Sequence, residues 1–138
     1  MRTLDVSRPD AIVPLGELRL AENQPGVCTE GVFTAHNPTP LESIALVSWY
    51  AGGLRAVDLE DPGAPRELAA FVPEPLARVT VEDPFLTGSR VMGWSYPIVR
   101  DGLVYFVDAR NGLYILRYEG PHQDEILSEP FRDGSSSL

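Results

Sequence analysis

The chain has 138 residues, with 13 prolines, 12 glycines and a hydrophobic share of 43%, enough apolar content for a core but too many turn formers for a helical protein. Its 20 acidic against 11 basic side chains leave a net charge of −9, which repels polyphosphate and excludes nucleic acid from the expected partners. No apolar run is long enough for a membrane-spanning helix, the residues from Met1 to Asp5 lack the apolar stretch of a secretory signal, and Cys28, the only cysteine, cannot form an internal disulfide.

The first predicted elements are short. Leu4 to Pro9 is an apolar-Asp-apolar strand end closed by a proline, and Ile12 to Leu20 reads as the strand after it. These form the end of one unit, residues 1–22. A complete unit follows over residues 27–73. Its first strand is predicted at Val32 to His36, its second at Ile44 to Tyr50, its third at Leu54 to Leu59 and its fourth at Arg66 to Val72. The second strand is almost continuously apolar where a half-exposed strand would alternate, so both of its faces should be covered. Gly52-Gly53 supplies the turn before the third strand, because tight hairpins need the positive φ that glycine adopts freely.

Residues 74–89 interrupt the pattern with a Pro-bearing, acidic stretch that reads as an inserted loop. A last unit, residues 90–121, then repeats the earlier one. Its first strand is predicted at Val91 to Ser95, its second at Leu103 to Ala109 and its third at Leu113 to Tyr118, with turns at Asp101-Gly102 and Asn111-Gly112. Residues 122–138 read as a tail, frayed from Gly134 to Leu138.

The repeat is gapless. His36 to Pro62 lies over Ser95 to Pro121 at a constant offset of 59 positions, so that Pro38 meets Pro97, Gly53-Leu54 meets Gly112-Leu113, Glu60 meets Glu119 and Pro62 meets Pro121. The opening copy is offset by 53, with Leu4 to Pro9 over Val57 to Pro62. Repeated antiparallel sheets with two covered faces are what stacked propeller blades supply. The expected fold is therefore all-β, a partial β-propeller of two antiparallel four-stranded blades plus part of a third. A self-contained sandwich of about ten short strands is the rival architecture, but internal copying of this kind argues against it. Stacked repeats need about three units to bury a continuous core. Further propeller blades, or copies of the chain itself, are accordingly the expected partners. The arrangement of strands reads as the carboxyl end of a larger propeller, whose last blade borrows its fourth strand from an amino end.

The run His36-Asn37, then an apolar strand, then Gly53-Leu54-Arg55-Ala56-Val57-Asp58-Leu59-Glu60-Asp61-Pro62 resembles the LVIVD-repeat proteins. These are bacterial and archaeal β-propellers, often exported or surface-associated. The resemblance implies a structural scaffold outside the cytoplasm and is not specific for a function. The last unit departs from the pattern: Arg117 stands where the repeat has its aspartate, and Ser95-Tyr96 replaces His-Asn.

No catalytic motif is present, so no catalytic residue is assigned and no cofactor is expected. The expected function is a non-catalytic scaffold that binds a protein or glycan, with the acidic segment around Glu82 and Asp83 and the aromatics Trp49, Trp94 and Tyr96 as candidate ligand-binding residues. Trp49-Tyr50 and Trp94-Tyr96 also suit packing between blades. His36 is the candidate metal ligand, since first strands line a propeller's channel. A divalent metal there would need further ligands, and the alternative function is a channel-sited metal-dependent hydrolase or oxidase that takes them from other blades. His122 is a further candidate group. Asp58 and Asp108 are expected to accept backbone N–H bonds from adjoining turns, and Cys28 to be a small, partly buried residue.

Overall fold

The computed structural model describes residues 1–24, 31–86 and 88–134. The chain is all-β, with three antiparallel sheets, none closed into a barrel. Strands β1 (Arg2–Asp5) and β2 (Val13–Glu17) form a hairpin. Strands β3 (Asn37–Pro40), β4 (Ile44–Ser48), β5 (Leu54–Asp58) and β6 (Arg66–Phe71) form a four-stranded meander in sequence order. The third sheet runs β7 (Ile98–Arg100), β8 (Leu103–Asp108) and β9 (Gly112–Leu116), with β10 (Phe131–Arg132) added on the free side of β7.

Every residue of β4 and β5 is buried, as the continuous apolar run requires. One face of the meander, Ile44, Leu46, Leu54 and Ala56, packs on Val99, Val104 and Phe106 of the third sheet. The opposite face, Ala45, Val47, Trp49 and Val57, packs on Leu20, with Met1, Leu18, Ala35 and Leu59 around it. Strand β8 differs from this expectation. It alternates, with Val104, Phe106 and Asp108 buried while Val107 is exposed, because the described residues cover only one face of its sheet.

The turns agree with the sequence. Asp101 and Gly102 both have positive φ (51° and 76°) between β7 and β8, the requirement of a tight hairpin. At Gly53 (φ 74°) an added Cβ would lie 2.3 Å from the carbonyl oxygen of Phe71, so only glycine fits. Gly93 forms bridges to both Tyr50 and Asp108. A Cβ there would stand 2.9 Å from the Phe106 ring, so the missing side chain lets this segment pass between two sheets.

Three predicted elements are corrected. The first strands lie at Asn37–Pro40 and Ile98–Arg100, later than Val32 to His36 and Val91 to Ser95. Two prolines made Asn37–Pro40 look like a loop, but β3 is an edge strand, where a missing N–H leaves no ladder bond unmade. The predicted tail is also largely structured: residues 123–128 form helix α1 (Gln123–Ser128), and Phe131–Arg132 join the sheet as β10. Ile126 of α1 is 1% exposed and sits in the core between the sheets. Residues 135–138 lie outside the described residues.

Candidate functional site

Three loops meet at one end of the sheet stack. His36 precedes β3, Tyr50 occupies the β4–β5 turn with φ 40°, and Trp94 precedes β7. Their rings touch one another. The centroids of His36 and Tyr50 are 4.7 Å apart, those of His36 and Trp94 4.9 Å, and those of Tyr50 and Trp94 5.7 Å in an edge-on arrangement. Trp94 is 51% exposed. The carbonyl oxygen of Trp94 accepts from the Asn37 amide at 2.7 Å and lies 2.6 Å from His36 Nδ1. The Asn37 amide nitrogen also lies 2.8 Å from His36 Nδ1, so Asn37, His36 and the Trp94 carbonyl form one polar cluster beneath the rings.

This geometry separates the candidate residues. Trp94 and His36 are brought together, with Tyr50 as the third ring. Trp49 is not part of the cluster: it is 1% exposed, packs with Leu20 on the face of the meander away from the third sheet and donates its indole N–H to the Phe33 carbonyl at 3.1 Å. Tyr96 lies against Gly134, where an added Cβ would meet its ring. His36 belongs to no group of three or more potential metal ligands among the described residues.

The acidic segment is held down by a network that the sequence reading did not foresee. Arg110 forms a bidentate pair with Glu82, Nε to Oε2 at 2.9 Å and Nη2 to Oε1 at 2.7 Å, and donates to the Leu76 carbonyl at 2.8 Å. The pair holds the Glu82 carboxyl below its usual range. Asn111 adds bonds to the Leu76 N–H and the Arg90 carbonyl. Asp83 accepts the Phe85 N–H at 2.9 Å, opening a single 3-10 turn over Pro84–Leu86. Both acids therefore have structural partners. The only prior signal was the Asn111-Gly112 turn, read for its φ and not for its amide.

At the opposite end of the sheets, Asp58, Glu60 and His122 approach closely enough to hold a cation. Asp58 and His122 are already engaged with other groups. Asp58 Oδ2 accepts from Arg66 Nε at 2.9 Å, and Oδ1 accepts the Glu60 N–H at 2.9 Å with His122 Nε2 at 3.5 Å. His122 also faces Glu125 at 3.7 Å, and the Glu125 carboxylate accepts the Ser43 N–H. The set ties α1 to the edge of the meander. Asp108 plays the same part elsewhere, accepting the N–H groups of Met92, Arg110 and Asn111. Cys28 lies outside the described residues.

No helix among the described residues is long and apolar enough to cross a membrane. No protein-family model matches the chain, and no curated protein or solved structure matches it.

Proposed function

We propose that the chain is a non-catalytic repeat scaffold of blade-like sheets, of the LVIVD-repeat propeller kind, that binds a ligand at a bacterial or archaeal surface through His36, Tyr50 and Trp94. The observation that carries the binding reading is the half-exposed Trp94 ring, held by two other rings and by polar groups of Asn37 and His36. A flat amphipathic ring with hydrogen-bonding neighbours suits the apolar face and hydroxyls of a neutral sugar. A glycan is thus favoured over a protein partner, which usually meets a larger apolar patch.

The blade reading is supported by how the sheets meet. Val104 and Phe106 correspond, at the offset of 59, to Ala45 and Val47. Those two residues lie on the face of the meander that points away from the third sheet. Non-equivalent faces therefore meet, as in an open stack of repeats. A two-sheet sandwich built from two copies would bury equivalent faces against each other.

Isothermal titration calorimetry with a panel of neutral oligosaccharides tests the site, because its readout does not depend on the tryptophan that the variant removes. A saturable change is expected, weakened at least about tenfold in Trp94→Ala, the effect of losing a stacking anchor. A response that Trp94→Ala leaves unaltered contradicts the proposal, as does the absence of any response across the panel.

A further inference from the structure

The two ends of the sheet stack carry faces that match each other through the repeat. Inside the molecule, the face made by Ile44, Leu46, Leu54 and Ala56 is filled by the Val104 and Phe106 face of the third sheet. At the offset of 59, the residues corresponding to that first set are Leu103, Tyr105, Leu113 and Ile115. They form the outer face of the third sheet, with Tyr105 opposite Ile115 and Val107 opposite Leu113. Leu113 is 59% and Ile115 57% exposed. This end therefore presents a second receiving face of the kind that is already filled once within the chain.

The hairpin at the other end presents the complementary kind. At the offset of 53, Leu4 and Val6 stand where the meander has Val57 and Leu59. Val57 lies directly opposite Ala45 on β4 and belongs to the same face as Val47, the counterpart of Phe106. Thr3 and Gly16 of the hairpin touch the Pro62 to Pro65 turn of the meander. Thr3 is half-buried at that contact, whereas Leu4 and Val6 beyond it are 48% and 62% exposed.

We propose that copies of this chain associate head to tail, the β1–β2 hairpin of one copy packing its Leu4 and Val6 side on the outer β8–β9 face of the next. The contact is heterologous, so it builds a ring if the rotation closes and a filament if it does not. The inference rests on the observed sheet packing and the repeat, not on the glycan reading.

Sedimentation velocity over a wide concentration range tests it with the full chain and two variants, Leu4→Lys and Ile115→Lys. Both positions face solvent in the single copy, so each variant should keep the wild-type circular dichroism spectrum and a cooperative melting transition. Wild-type protein should form species larger than a monomer, and each variant alone should stay monomeric. Mixed together, the variants should form a one-to-one dimer and nothing larger, because each retains the face that the other has lost. Val6→Lys with Leu113→Lys repeats the test should either first variant lose its fold. Wild-type protein that stays monomeric up to its solubility limit overturns the proposal. So does a mixture that remains monomeric while the wild type assembles.

Discussion

Asp58 and Asp108 close the strands they end, and their chemistry was legible from their positions. Aspartates before turns accept the N–H groups of the following residues, and both do so here. The side-chain partners of Asp58 were not legible, because Arg66 and His122 reach it from separate elements. The Glu60 N–H, followed by Arg66, holds the Asp58 carboxyl below its ordinary value of 3.8. A carboxyl depressed in the folded state contributes stability at pH values above its unfolded value, and that contribution is lost as pH falls through the folded value. The melting temperature should therefore drop below about pH 4, and Asp58→Asn should be less stable than wild type at pH 7 and converge towards it in acid. Thermal melts of the two proteins at pH 7 and in acid check this. A difference that stays constant with pH would mean that the Asp58 charge does not contribute. Trp49 and Trp94 show the limit of residue-scale reading. Both sit in similar aromatic pairs in the sequence, and only packing sends one to the core and the other to the surface.

At the scale of elements, hydrophobic runs and Gly turns located β4, β5, β8 and β9, whose predicted spans contain the observed strands apart from the leading Gly112 of β9. Edge strands were harder to read, since β3 is built on two prolines and β7 has only three residues. Helix α1 was missed for a related reason. It has six residues, opens at His122 in a left-handed conformation and lacks a side-chain cap, so no start signal precedes it. What fixes it is burial: Ile126 joins the core shared by both large sheets, and Glu125 caps the Ser43 N–H. Ile126→Ala should destabilise the protein by about 3 kcal/mol, the cost of emptying a buried aliphatic site. Denaturant unfolding checks this, and a loss within about 0.5 kcal/mol would return the segment to a surface tail.

Over the whole molecule, the gapless offset of 59 positions already implied sheets of one kind placed side by side. What it did not reveal is the direction of stacking, because an internal repeat is equally compatible with two sheets facing each other. The packing supplies that direction. Phe106 lies between the sheets with Leu46 and Leu54, and Phe71 of the meander meets it edge-on at 6.3 Å. Their repeat partners on the far side of the third sheet, Tyr105 and Leu113, face outward. The ring cluster needs only the local loops, whereas head-to-tail association needs every sheet to stack in the same sense.

The most direct measurement of the stacking sense is a set of nuclear Overhauser contacts from the Phe106 ring in methyl-labelled protein. Strong contacts to the methyl groups of Leu46 and Leu54, with none from Tyr105 to either, are the predicted result. Contacts from Tyr105 to Leu46 and Leu54, with Phe106 lacking them, would mean that equivalent faces meet in a closed sandwich, contradicting the open stack of blade-like repeats.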